Sequence, residues 1–133
     1  MPVLVDSNVI IDLYADSHAW RDWSRAALSH VAASDILVIN PIIYAEISAA
    51  FDSVEEVEDT IPQDDFERHQ LPYEAAFLAG KAFVDYRRRG GMRTSPLPDF
   101  YIGAHAAVAR FDLLTRDPSR YRTYFPTVSL IAP

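Results

Sequence analysis

Four acidic residues are placed where a folded chain could bring them together. Asp6 directly follows an apolar run at residues 3–5, and Asp117 lies just past a second apolar run that ends at Thr115. Glu46 and Asp99 fall in the first two turns of predicted helices. Carboxylates packed together repel one another, so they must take up protons or bind cations. Hard oxygen ligands favour Mg²⁺ or Mn²⁺ over zinc, and such an ion can activate water for attack on phosphorus.

The elements that must position these acids follow from the apolar pattern. Short apolar runs bounded by turn-forming residues predict strands at 3–5, 36–39, 113–115 and 128–131. Helical patterns lie between them. The alternation predicts an α/β fold with right-handed crossovers, a parallel sheet and helices on both faces. Ligands bind beyond the carboxyl ends of the strands in such sheets, and this is where the four acids are expected.

Two predicted helices carry apolar residues at helical spacing. In the helix at 18–33, Trp20 and Trp23 begin a stripe that is expected to pack in the core. In the helix at 73–89, Phe77, Gly80 and Val84 are expected to face inward. A short acidic helix is predicted at 53–60.

Composition excludes several classes of protein and site. The 133 residues suit one domain, and the absence of cysteine excludes disulfides, thiolate zinc sites and cysteine nucleophiles. No apolar run is long enough to cross a membrane, and residues 3–5 are too short for a signal peptide. A cytoplasmic protein is therefore expected.

The net charge of −7 is unevenly distributed. Residues 52–67 contain 8 acids and no Lys or Arg, so the remaining 11 acids and 12 bases sum to +1. Four of those 11 acids are the proposed ligands, which bound cations would neutralise. The body of the protein is thus weakly basic, and the acidic run is typical of a solvated helix face.

Four segments resemble a known family. They are residues 5–12 (VDSNVIID), 40–47 (NPIIYAEI), 98–106 (PDFYIGAHA) and 113–117 (LLTRD). In order and spacing they resemble the PIN-domain family, and more narrowly the VapC toxins of toxin–antitoxin pairs. The resemblance covers essentially the whole chain.

The resemblance implies a fold and a function. It implies a single PIN domain over residues 1–133, a three-layer α/β/α sandwich with a mainly parallel sheet of four or five strands. It also implies a Mg²⁺-dependent endoribonuclease, in which Mn²⁺ substitutes for Mg²⁺, that acts as a toxin. The implied partners are a small VapB-like antitoxin, an RNA substrate and a second copy in a homodimer, with no membrane.

The same resemblance assigns roles to residues. Asp6, Glu46, Asp99 and Asp117 would hold the metal and carry catalysis, while Ser7, Asn8 and Thr115 would orient these carboxylates, a role that also follows physically. The family often has a further acid after Asp117, but residues 118–122 contain none. The chain therefore has four acids for the site.

Basic residues lie beside the proposed ligands in the sequence. Their expected role is to grip RNA phosphates, although a solvated helix end also explains the first group. The basic residues before Asp99 are Arg87, Arg88, Arg89 and Arg93, and those around Asp117 are Arg116, Arg120 and Arg122. The residues assigned to RNA binding are Arg87, Arg88, Arg89, Arg93 and Arg116.

Three other functions stay open at this point. An aspartate-nucleophile phosphatase also begins with a strand ending in Asp, but it would need a second Asp where Asn8 stands. A receiver domain would need an acidic pair near the start, which Asp6 and Ser7 do not supply. The third is a catalytically inactive PIN-like RNA-binding module, which a nuclease assay with and without EDTA would distinguish.

Overall fold

The computed structural model describes residues 1–14, 18–91 and 97–133. Strands and helices alternate from the start of the chain. The strands are β1 (Pro2–Val5), β2 (Ile36–Ile39), β3 (Glu67–Arg68), β4 (Asp112–Leu114) and β5 (Leu130–Ile131). The helices are α1 (Ser7–Asp12), α2 (His18–Ala32), α3 (Pro41–Ser48), α4 (Val54–Thr60), α5 (Tyr73–Arg88), α6 (Leu97–Ala109) and α7 (Ser119–Tyr124).

All five strands form one parallel sheet in the order β3-β2-β1-β4-β5. The α/β/α fold and the parallel sheet predicted from the sequence are confirmed. One strand was not predicted. β3 consists of two exposed charged residues, Glu67 and Arg68, so it has no apolar pattern, and it forms because its backbone can pair with β2.

The strand order creates a crevice at the centre of the sheet. The chain leaves β1 toward β2 on one side, whereas β4 lies on the other side of β1. Right-handed crossovers then put the helices that follow β1 and those that follow β4 on opposite faces of the sheet. The carboxyl ends of β1 and β4 therefore border the crevice where ligands bind in folds of this kind.

The core fills both sides of the central strand. Val3, Leu4 and Val5 of β1 are buried, and so are Leu113 and Leu114 of β4. Strands buried on both faces have continuous apolar runs rather than alternating ones, which is why these segments were recognisable in the sequence.

The prediction that Phe77, Gly80 and Val84 face inward is wrong. All three are exposed, and α5 instead buries three alanines on its opposite side, Ala75, Ala79 and Ala82. Small inward side chains allow α5 to lie close to α6, which it contacts extensively. Both stripes have helical spacing, so periodicity could not decide between them.

α6 carries Asp99 and is held by close packing. Its Gly103 faces the buried ring of Phe125, and an added Cβ would come within 2.4 Å of the ring atom Cδ2. Phe100, on the same helix, contacts the rings of Tyr86 and Tyr124 edge-on. This packing fixes the position of Asp99 relative to the carboxyl ends of the strands.

No helix in the three described ranges is both long and apolar enough to span a membrane.

Candidate active site

Asp6 stands at the end of β1 and is 3% exposed. Its Oδ2 accepts hydrogen bonds from the Tyr121 hydroxyl at 2.8 Å, the Thr115 hydroxyl at 2.9 Å and the Asn8 amide at 3.3 Å. Its Oδ1 has only a 3.5 Å contact with the Ser7 hydroxyl in the part of the chain that the structure describes. One oxygen is thus saturated by the protein, while the other has only this long contact.

Thr115 and Asn8 join the ends of β4 and β1. The Thr115 Oγ1 atom accepts from the Asp117 backbone N–H at 3.1 Å and from the Asn8 amide at 3.3 Å. Asn8 in turn accepts from the Arg116 backbone N–H at 3.3 Å. These bonds hold the segment that carries Asp117 against the start of α1. Asn8 and Thr115 thus both donate to Asp6 and hold the two strand ends together.

Glu46 is positioned by α3, which begins directly after β2. Asn40 caps this helix by accepting from the Ile43 backbone N–H at 2.9 Å, and Pro41 occupies its first turn. The Ser7 hydroxyl donates to Glu46 Oε1 at 2.8 Å. Ser7 therefore orients mainly Glu46, across the gap between α1 and α3.

Asp99 lies in the first turn of α6 and forms an ion pair with Arg120 of α7. The distance from Arg120 Nη1 to Asp99 Oδ2 is 2.7 Å, and both side chains are about one-third exposed. The Arg120 guanidinium also lies over the ring of Tyr86, 5.8 Å from its centroid. Asp117 is more exposed and has a 3.5 Å contact with the Ser119 hydroxyl.

The four acids line one cavity of about 200 Å³ at the carboxyl ends of β1 and β4. Ser7, Asn8, Arg116, Arg120 and Tyr121 complete its wall. Among the described residues, no three acidic or histidine side chains stand close enough to form a metal site as they are. The acids share a cavity, but ligation of one ion would require them to draw together.

Burial and neighbouring charges both act on the acids of the cavity. The pKa of Asp6 is raised from 3.8 to about 6, mainly by burial and also by the charges of Asp99 and Glu46, while hydrogen bonds from Tyr121 and Thr115 act to lower it. Burial also raises the pKa of Glu46 and of Asp99, with a further contribution from a neighbouring carboxylate in each case. The neighbouring carboxylates thus disfavour one another's charged forms, and a cation among them would offset this repulsion.

The donors in this cavity fit a hard divalent cation. They are carboxylate oxygens, with no histidine in the cavity wall and no cysteine in the chain. This set matches the preference of Mg²⁺ and Mn²⁺ and not that of zinc.

The predicted arginines do not all reach the cavity. Arg116 lines it, but its Nε donates to the buried carboxylate of Asp12 at 2.8 Å, which the Ser24 hydroxyl also contacts. Arg87, Arg88 and Arg89 lie at the end of α5 and are not part of the cavity wall. Arg93 falls outside the described residues.

One residue of the cavity, Tyr121, was given no site role from the sequence, and Arg120 was noted beside Asp117 but was not among the residues assigned to RNA binding. Tyr121 is 1% exposed, and its pKa is raised well above 10 by burial and by the surrounding carboxylates, so it stays protonated and donates to Asp6. Arg120 forms the ion pair with Asp99. Both lie on α7, three and four residues after Asp117, and that proximity is the only signal the sequence contains.

Comparisons with known proteins agree with this architecture. A family profile described as the PIN domain matches residues 3–126. No curated protein matches the sequence.

Solved structures resemble the whole chain. VapBC2 from Rickettsia felis, bound to a DNA fragment from its promoter, has a TM-score of 0.74 at 17% identity, over 100% of this chain and 99% of that chain. VapBC-1 from nontypeable Haemophilus influenzae has a TM-score of 0.74 at 18% identity, over 99% and 98%. A toxin–antitoxin complex from Klebsiella pneumoniae has a TM-score of 0.66 at 22% identity, over 90% and 89%.

The raised pKa of Asp6 predicts how stability depends on pH in the absence of metal. The folded state holds the Asp6 proton more tightly than the unfolded chain does. This contribution is fully present below pH 3.8 and is lost as pH rises through about 6. Asp6→Asn keeps an acceptor for Tyr121 but removes the charge, so at pH 7 it should stabilise the fold, by up to about 3 kcal/mol.

Urea unfolding in EDTA between pH 4 and pH 8 measures this effect. The gain of Asp6→Asn over the parent should grow with pH, and Asp22→Asn, at an exposed position on α2, provides the control. If the Asp6→Asn protein is less stable than its parent at pH 7, the negative charge of Asp6 does not destabilise the fold and the prediction is wrong.

Proposed function

Since this chain belongs to the PIN-domain family, we propose that it is a metal-dependent endoribonuclease and the toxin of a toxin–antitoxin pair. PIN domains are generally nucleases. The solved structures that it resembles include VapBC and other toxin–antitoxin complexes. The observation that carries the proposal is the convergence of Asp6, Glu46, Asp99 and Asp117 on one cavity at the crevice of the sheet.

These four carboxylates would hold Mg²⁺, with Mn²⁺ as a substitute. When bound, such an ion supplies an activated water and neutralises the charge that develops on the phosphate. The chain has no further acid after Asp117, so the proposal requires only these four.

The other residues prepare the carboxylates for this role. Tyr121, Thr115 and Asn8 together hold Asp6 through Oδ2, whereas Oδ1 has only the 3.5 Å contact with Ser7 among the described residues. Ser7 holds one oxygen of Glu46 in the same way. Because each of these donors binds mainly one oxygen, they set the direction of each carboxylate and leave the other oxygen for a ligand, as the partners of metal ligands do in other proteins.

The phosphatase alternative is disfavoured by the contacts of Asp6. Asn8 occupies the place of the second acid and donates to Asp6 instead of exchanging a proton with the substrate.

We expect RNA cleavage to require Mg²⁺ or Mn²⁺ and to stop in EDTA. Asp6→Asn, Glu46→Gln and Asp99→Asn should each slow cleavage by at least about 100-fold, because each removes charge from the site. The fragments should carry 5′-phosphate and 3′-hydroxyl ends, since water and not the 2′-hydroxyl of the RNA attacks.

End-group analysis of the cleaved RNA, with circular dichroism to show that each variant is folded, provides the measurement. Fragments ending in a 2′,3′-cyclic phosphate would exclude the mechanism. Full activity of Asp6→Asn would overturn the site assignment, and a parent that binds RNA but cuts none in Mg²⁺ or Mn²⁺ would be the inactive module.

Arg120 is the arginine best placed to contact the RNA phosphate. It reaches the cavity while Nη1 holds Asp99, and a guanidinium has further N–H donors. The role predicted for Arg87, Arg88, Arg89 and Arg116 is retained as a secondary one, outside the cavity for the first three and at its wall for Arg116. The same role stays a prediction for Arg93, which lies outside the described residues.

Removing the Arg120 charge should therefore weaken RNA binding. In an Asp6→Asn background, Arg120→Gln should reduce the slope of log affinity against log salt by about 0.7, the value for one phosphate contact on single-stranded RNA. Arg122→Gln, on an exposed side of α7, is the matched control. An Arg120→Gln slope equal to that of the control would remove Arg120 from the RNA site, and neutralising Arg87, Arg88 and Arg89 together tests the outer group in the same assay.

We propose that the neutralising partner is a small VapB-like antitoxin. The cavity is rich in carboxylates, so an Arg or Lys of a partner could bind there. Trp20 of α2, which was wrongly expected to pack in the core, is exposed, and the guanidinium of the cavity-wall residue Arg116 lies 5.8 Å from its ring centroid. Tyr14, which follows α1, and Val54, at the start of α4, are further exposed apolar side chains. Tyr14 also packs edge-on against Phe51 beside a second cavity of about 220 Å³. Such an apolar surface suits an amphipathic peptide segment.

Growth of cells tests the toxin assignment separately from the nuclease. Cells that express the parent chain should stop growing, whereas cells that express Asp6→Asn, or the parent with its neighbouring gene, should grow. If the parent and Asp6→Asn strains grow equally well while the purified parent protein still cuts RNA, the nuclease assignment would stand and the toxin assignment would be refuted.

A further inference from the structure

A separate cavity opens at the same end of the sheet as the acids. It measures about 330 Å³ and lies between α3 and the segment that contains β3 and the two residues after it. Ile39, at the end of β2, contributes apolar surface to it, and so do Pro41 and Ala45 of α3. Its volume is within the range of cavities that hold a small organic ligand. We call it the β3 cavity, and none of the acidic residues lines it.

One helix separates the β3 cavity from the cavity of the acids. Consecutive residues of α3 contribute to the two cavities, because Ala45 lines the β3 cavity and Glu46 lines the acidic one. A helix with its side chains is about 10 Å across, and a stacked nucleic-acid strand advances about 3.4 Å per nucleotide. An RNA with its scissile phosphate at the acids could therefore place a base in the β3 cavity about three nucleotides away, or fewer where the strand is extended.

The rim of the β3 cavity contains a guanidinium that is held over an aromatic ring. Arg68 lies over the ring of Tyr44, 5.2 Å from its centroid. Glu58 fixes both side chains, because its Oε2 accepts from Arg68 Nη2 at 2.7 Å and from the Tyr44 hydroxyl at 2.8 Å. The His69 backbone N–H donates to the Ile39 carbonyl at 3.0 Å, which ties this segment to β2. The planar groups of the rim are thus positioned before a ligand binds.

The chemistry of this rim suits a nucleobase better than a phosphate. The charge of Arg68 is already paired with Glu58, and that carboxylate would repel a phosphate. Arg68, Tyr44 and His69 instead offer planar surface, on which unstacked RNA bases bind. Gln70 also lines the cavity and is exposed, and its side chain makes no hydrogen bond within the described chain. A glutamine amide can pair with the edge of a base, above all with adenine.

We propose that the β3 cavity binds one base of the RNA close to the cut and so sets the sequence preference of cleavage. This inference rests on the proposed nuclease function, which it deepens by naming a specificity site. The base would stack at the Arg68 guanidinium and present its edge to Gln70. The apolar side chains of Pro41 and Ala45 would exclude water from it.

Binding of RNA by the Asp6→Asn protein, which is independent of cleavage, tests the proposal. Ala45→Phe should fill the cavity, and Ala26→Phe, at an exposed alanine of α2, is the matched control. Both variants should keep the circular dichroism of the parent, because both positions are exposed. Single-stranded RNA oligonucleotides that lack one base, at each position in turn, provide the probe. One abasic position should weaken binding about ten-fold, as expected for the loss of one stacked base.

Combining the two changes tests whether that base lies in this cavity. Ala45→Phe should weaken binding of the intact RNA by a similar factor, and should add no further loss with the abasic RNA. Independent losses that multiply, or equal binding by Ala45→Phe and Ala26→Phe, would overturn the proposal. If Ala45→Phe instead weakens only the complex with the antitoxin, the cavity belongs to that partner and the proposal is wrong.

Cleavage of a random-sequence RNA pool tests the role in specificity. The parent should prefer one base at a position within about three nucleotides of the cut, and Ala45→Phe should remove that preference while Ala26→Phe keeps it. Gln70→Glu should shift the preference toward cytosine, whose amino group a carboxylate accepts from. A parent that cuts RNA with a preference unchanged in Ala45→Phe and Gln70→Glu would refute the specificity site and leave the nuclease assignment intact. A parent that cuts no RNA would refute the proposed function, and the binding measurements alone would then decide whether the cavity holds a base.

Discussion

The burial of Asp6 is the constraint on which the rest of this structure depends. Removing a carboxylate from water is costly unless hydrogen bonds replace the lost hydration. Three donors supply them, from Asn8 in α1, Thr115 after β4 and Tyr121 in α7. The bonds form only when β1 pairs with β4 and α7 packs over their ends. The placement of this one side chain therefore ties the two halves of the sheet together.

The hydrogen bonds do not fully compensate for that burial. The pKa of Asp6 remains at about 6, and the pKa values of Glu46 and Asp99 are raised as well. A cavity that concentrates negative charge in this way is unfavourable for folding in itself, and such unfavourable groups commonly occur at functional sites. Arg120 offsets part of the repulsion through Asp99. The repulsion that Arg120 does not offset would favour binding of a divalent cation or of a basic side chain from a partner. The proposed metal binding and the proposed neutralisation would therefore use the same cavity.

α5 shows how packing against a neighbour can reverse an expectation from hydrophobicity. Large apolar residues are the usual choice for a core, yet here alanines face inward because α6 lies too close for larger side chains. The large residues Phe77 and Val84 point outward, and so does Gly80, where an added Cβ would meet no atom within 4 Å. A stripe that has the spacing of a core but faces solvent is consistent with an interface between molecules.

The sequence by itself determined the elements whose burial is continuous and the acids that end them. β1, β2 and β4 have apolar runs because both of their faces are covered; Asp6 follows β1 directly, and Asp117 lies three residues after β4. Segment order and spacing were enough to predict the parallel sheet and the family. β3 could not be predicted, since Glu67 and Arg68 form a strand only because β2 offers an unpaired edge.

Only the tertiary structure decided which side chains surround the acids. Tyr121 and Arg120 reach Asp6 and Asp99 because α7 folds back over the ends of β1 and β4, and no local pattern encodes that return. Arg87, Arg88 and Arg89 precede Asp99 closely in sequence, but the end of α5 places them outside the cavity wall. Contacts between residues 21 or 115 positions apart depend on how the helices pack, and packing depends on the shapes of all the side chains at once.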